Sequence, residues 1–251
     1  MKLLEAATVN RDAINLFGAG YNAEIRDCGV QMRLTDACEE TSQQLVGDST
    51  SAVGFYYVKP FAIEVELARS VVCEKPDDQS WVEKVTEANL EYPLSRALVI
   101  QPIASTTSWL GDAGVASVPL AGSPTADDYG TAVMAARKLW FETVMTLEGG
   151  PIMHVPPSLV PTLVKAGVLQ MKLDGDAATI LGDKVVISPG YDRANGPGNV
   201  FFSGPIKIAY MPIQSNDMLR RTRTNDSVVV ANTIAIIDTP PCAIVRVGSY
   251  S

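Results

Sequence analysis

The chain holds a single histidine, His154, among its 251 residues. That scarcity removes much acid–base and metal chemistry at the outset. A structural or catalytic zinc site draws on several His and Cys ligands, and a hydrolase nucleophile needs a base beside it. No Gly-x-Ser-x-Gly elbow precedes His154. Cysteine is sparse too: Cys28, Cys38, Cys73 and Cys242 stand at irregular spacings with no Cys-x-x-Cys pair. They read as isolated buried thiols, and no disulfide is expected. Long apolar runs are missing, so no segment predicts a membrane-spanning helix. Glu5, Asn10, Arg11 and Asp12 interrupt the N-terminal region before a signal-peptide core can form. A soluble intracellular protein is expected. Positive charge is also short, with 20 Lys and Arg against 28 Asp and Glu and a net charge of -8. This is the wrong balance for gripping nucleic acid across a wide surface, which requires clustered cations. The basic cluster Arg220, Arg221 and Arg223 therefore reads as a solvated loop or an intersubunit salt-bridge patch.

What is present is ordinary globular material. At 47% hydrophobic and 19% charged residues the chain lies far from the disordered regime, and its length suffices for one or two cored domains. Phe61 to Leu67 alternates as a strand buried on one face, with Glu64 and Glu66 directed the other way. Together with the turn-rich tip at Gly47 and Asp48 and the apolar run through Tyr56 and Tyr57, residues 28–67 predict a long two-stranded excursion. Pro76-Asp77-Asp78 opens a helix in which Trp81, Val85, Ala88 and Tyr92 share a face, and Pro93 is expected to kink or interrupt it. After a connector with a minor strand at Ala116 to Leu120, Thr125 caps a second helix. It carries Asp127 and Asp128 in its first turn and Tyr129, Val133, Ala136, Trp140 and Val144 on one face, and Gly149-Gly150 is read as its end. A strand at Pro151 to Val155, a helix stopped by Gly167 and a strand at Lys184 to Ile187 follow. They predict a small α/β unit, a sheet covered by helices. Residues 190–199 read as an exposed loop. The remainder is strand at Val200 to Phe202, Ile206 to Tyr210, Ser227 to Ile237 and Ala243 to Val247, the third a central strand.

Candidate chemistry thins out on inspection. His154 lies between Met153 and Val155 in a buried strand and reads as a core histidine satisfied by a backbone carbonyl. Gly18-Ala19-Gly20-Tyr21-Asn22-Ala23 matches a loose dinucleotide pattern but lacks the flanking strand and helix that give it meaning. Asp174-Gly175-Asp176 reads as a turn, with a weak cation site as the alternative. No catalytic, cofactor or metal residue is assigned, and the chain is expected not to be an enzyme. The competing reading from another class is a small α/β enzyme using His154 or the Asp174 and Asp176 pair.

The order of elements resembles the major capsid proteins of tailed bacteriophages, the Hong Kong ninety-seven type fold shared with encapsulin nanocompartments. The local matches are Glu66-Leu67-Ala68-Arg69 ahead of the helix that holds Trp81, Pro151-Ile152-Met153-His154-Val155-Pro156-Pro157-Ser158, and Leu181-Gly182-Asp183-Lys184-Val185-Val186-Ile187-Ser188. The resemblance implies an α+β fold. It assigns residues 1–27 to an N-terminal arm and 28–67 to an extended E-loop. Residues 68–118 and 206–251 become a peripheral domain with a spine helix near 77–100, and 119–205 an axial domain. It also implies a subunit that partners itself in the pentamers and hexamers of an icosahedral head. That head would enclose double-stranded DNA without reading sequence, with scaffolding, portal or decoration proteins as possible partners. The location would be the virion, after assembly in the host bacterial cytoplasm. Non-covalent assembly is expected. Intersubunit contacts are expected at Gly47, Asp48, Tyr56, Tyr57, Glu64, Glu66, Tyr191, Arg193, Arg220, Arg221 and Arg223. An encapsulin shell is the alternative within the same fold.

Overall fold

The computed structural model describes residues 1–10, 61–68, 89–100, 115–144, 149–171, 177–192, 199–211, 214–218, 228–238 and 243–248. The four cysteines, Trp81 and the Gly18 to Ala23 and Asp174 to Asp176 patterns fall outside them. Within them lie four helices: α1 (Leu3–Ala6), α2 (Glu91–Ile100), α3 (Ala126–Thr143) and α4 (Val160–Lys165). Twelve strands are described. The first six are β1 (Thr8–Asn10), β2 (Phe61–Ala68), β3 (Ala116–Val118), β4 (Ile152–Val155), β5 (Leu169–Met171) and β6 (Ala177–Thr179). The others are β7 (Lys184–Ile187), β8 (Val200–Ser203), β9 (Lys207–Tyr210), β10 (Gln214–Met218), β11 (Val228–Asp238) and β12 (Ile244–Val247).

They form two sheets. In the five-stranded sheet β11 is central, as its β-branched run predicts. It pairs antiparallel with β2 from Val228↔Ala68 to Ala235↔Phe61 on one side, and with β10 and then β9 on the other. Along β11, Thr233, Ala235 and Ile237 are buried, and Thr233 lies opposite the buried Ile63. The sheet closes on β1, which runs parallel to β9 at the edge. Two of these strands lack an apolar alternation. β1 was assigned by resemblance to an arm, and β10, Gln-Ser-Asn-Asp-Met, is held by its ladder with β11.

The seven-stranded sheet has the order β3-β12-β8-β4-β7-β6-β5, with β4 and β7 parallel and the chain between them running through α4, β5 and β6. Both of its faces are covered, and the two-residue period of a strand sorts its side chains between two cores. Ile152, Val186, Phe201 and Ile244 join the core shared with α2 and the five-stranded sheet. Met153, Val155, Val185, Phe202 and Val245 join the core under α3 and α4.

The helix ends follow local chemistry. The Thr125 side chain accepts from the Asp128 amide while the Asp128 carboxylate accepts from the Thr125 amide at 2.8 Å, a reciprocal cap. The same Thr125 hydrogen bonds lower the Asp128 carboxyl below the usual carboxylate range. Tyr129, Val133, Ala136, Trp140 and Val144 are buried as their spacing predicts, and the Trp140 indole donates to the Ala243 carbonyl at 3.0 Å. The helix ends at Thr143, short of Gly149-Gly150, with Val144 as its last bonded residue. At α4, Gly167 adopts φ +73, its amide donates to the Val164 carbonyl and the Val168 amide to that of Leu163. This paired closure needs a left-handed residue, which glycine adopts without strain.

Pro93 interrupts the helix as expected, but the break falls at Leu90, between a helical Asn89 and the start of α2. A proline has no N–H for the carbonyl four residues back and its ring crowds that carbonyl, so the helix restarts with Pro93 in the first turn. The break resets the helical phase. Tyr92, expected on the Trp81 face, is half-exposed, and Leu90, Leu94, Ala97 and Leu98 are buried instead.

The inner side of α2 meets a single 3-10 turn, Pro189–Tyr191, at backbone contact. A Cβ on Gly190 would lie 2.7 Å from the Arg96 amide nitrogen and 2.9 Å from the Tyr92 carbonyl oxygen. Neither backbone atom can rotate away. Gly190→Ala should therefore destabilise the subunit by at least ~1–3 kcal/mol, the usual cost of overpacking, visible as a lower denaturant midpoint. An unchanged midpoint would show that α2 is not seated as described.

Candidate functional site

The deepest polar cluster surrounds His154, on β4 at the centre of the seven-stranded sheet. Its ring is fully buried and stacks on its cross-strand partner Phe201, centroids 4.4 Å apart and planes 5° from parallel. The expected backbone carbonyl is not its partner. Nδ1 lies 2.8 Å from the Tyr191 hydroxyl and Nε2 2.8 Å from the Ser203 hydroxyl. Every carbonyl of a paired central strand is engaged in its ladder, which leaves side-chain hydroxyls to satisfy the ring. Ser203 also reaches the Gly204 carbonyl at 2.9 Å, and each ring nitrogen faces one hydroxyl that can donate or accept as the tautomer requires.

The chain of polar groups continues outward. Ser95 of α2 hydrogen-bonds the Tyr191 hydroxyl and lies 3.4 Å from a Glu91 carboxylate oxygen. Glu91 in turn accepts from the Leu3 amide at 2.6 Å and the Leu4 amide at 3.2 Å. The first turn of α1, the first turn of α2, the Pro189–Tyr191 turn and strands β4 and β8 are thereby joined by one line of hydrogen bonds. Burial holds His154 down to about 3. Burial also pushes the Tyr191 phenol well above its ordinary value, with Ser95 pulling against it and the Glu91 charge adding to it. A histidine that stays neutral at every physiological pH, both nitrogens occupied and sealed from water, has no proton to exchange with a substrate. The arrangement is a structural brace.

Tyr191 was expected in an exposed loop as an intersubunit contact, and the structure corrects this: its side chain is completely buried within the subunit. Asn199 explains why. Its amide and its side chain both donate to the Tyr191 carbonyl, at 3.2 and 2.9 Å, tying the two ends of the 190–199 segment together inside the protein. Arg96 donates to the carbonyls of Gly190 and Asp192. Glu64 and Glu66 occupy β2 opposite Asn232 and Val230. Gly47, Asp48, Tyr56, Tyr57, Arg193, Arg220, Arg221 and Arg223 fall outside the described residues. Ser95, Ser203 and Glu91 were not anticipated. Ser203 had one signal, a hydroxyl ending an apolar strand two positions from Phe201, hence on the same face. Among the described residues no helix is long and apolar enough to cross a membrane, and no three His, Cys, Asp or Glu side chains gather as a metal site.

No family model matches the chain, and no curated protein does. Solved structures do. A virus-like particle from Pyrococcus furiosus is similar over 98% of this chain and 92% of its own, with 12% identity and a TM-score of 0.57. The capsid of a native GTA particle, computed with C5 symmetry, is similar over 100% and 90%, with 12% identity and a TM-score of 0.55. The capsid of the empty GTA particle gives 100% and 90%, 13% identity and 0.53. The fold is the α+β Hong Kong ninety-seven capsid type that the order of elements resembles.

The brace has a pH signature. Unfolded His154 titrates near 6.5 and the folded ring near 3, so between those values the unfolded state binds the extra proton and falling pH favours unfolding. The stabilisation is complete above about pH 6.5 and should decline by about 3 kcal/mol at pH 4. His154→Gln should flatten this component of the unfolding free energy measured against pH. Parallel curves for the two proteins would contradict the assignment.

Proposed function

We propose that the chain is a shell-forming subunit, the major capsid protein of a tailed bacteriophage, which assembles non-covalently into an icosahedral head around double-stranded DNA. The observation that carries this reading is the extent of the likeness. Shell-forming chains match essentially all of this one and are themselves covered to 90% or more, so the similarity is of a whole subunit and not of a shared module. The brace supports it from the other side, because the only histidine is committed to holding the core together and no enzymatic role is proposed for it. On this reading residues 119–205 form the axial domain, residues 68–118 and 206–251 the peripheral domain, and residues 28–67 the extended loop that crosses a neighbour.

Charge fits a container. Subunits of net charge -8 repel one another, and an acidic lining would keep packaged phosphate from sticking. A second reading within the same fold is an encapsulin-type nanocompartment. The two differ in contents.

Purified protein viewed by negative stain should show closed particles of uniform diameter. Nuclease-protected DNA recovered from particles made in the native host supports the phage head, and a co-purifying enzyme the nanocompartment. A chain that sediments only as a compact monomer ends both. Because like charges must approach, assembly should be favoured when ionic strength rises from about 10 mM to about 150 mM, where the screening length falls from about 30 to about 8 Å. Light scattering that falls with salt would count against charge-opposed assembly.

A further inference from the structure

We draw no further inference here: the strongest candidate, the apolar groove where Met134 of α3 and Ile180 of the β6–β7 turn lie exposed together, is an unpartnered face, and nothing in the structure shows what covers it.

Discussion

The contact between α2 and the Pro189–Tyr191 turn is the constraint on which the rest of the structure depends. Two sheets, each with a face to bury, must share one core, and the element between them is a ten-residue helix. Gly190 lets the turn approach the helix at backbone distance, Arg96 fastens the turn's carbonyls, and Tyr191 reaches on to His154 in the middle of the second sheet. Without that seat the Ile152, Val186, Phe201 and Ile244 face would lose its cover. The first ten residues depend on it as well, since Glu91 holds the α1 amides from the first turn of α2.

A line of polar groups through an apolar core is an expensive way to join elements. Each buried hydroxyl or imidazole costs desolvation that its hydrogen bonds recover only when every partner is present. A continuous line, fully satisfied, tolerates few other arrangements, and what it supplies is a single geometry more than raw stability. That suits the proposed role. A closed shell is built from many weak contacts repeated at fixed angles, and a loose subunit would lose on ordering what each contact gains. Phe201 contributes to the same rigidity, stacked on His154 and edge-on to Tyr191 at 5.3 Å.

How much of this was legible depends on where each residue's partners lie along the chain. Helix α3 reads directly, because its cap, its first-turn acids and its buried stripe are all local. Strand β11 reads from β-branched composition, and the shell-type order of elements from the succession of such segments. Tyr191 does not. Its neighbours, Gly190 on one side and Asp192-Arg193-Ala194-Asn195-Gly196-Pro197-Gly198 on the other, are loop grammar, and the groups that bury it sit on α2, about a hundred residues earlier, and on β4. Strand β10 fails for a related reason: a polar pentapeptide becomes a strand because β11 offers it hydrogen bonds. Tyr92 was misplaced by carrying a helical phase across the break at Leu90. The expected contact residues from Gly47 to Tyr57 and the arginines Arg193 and Arg220 to Arg223 lie outside the described residues, and the surface around Met134 was not anticipated, because an apolar residue on a helix is read as core until both faces of the helix are known.

The two faces of α3 follow opposite rules. Its inner face obeys the ordinary logic of folding, with aromatic side chains sealed and the single polar handle of Trp140 satisfied. Its outer face sets Met134 and Phe141 in water among Asp127, Asp128, Lys138 and Glu142, at a standing cost of about 25 cal/mol for each apolar Å² left exposed.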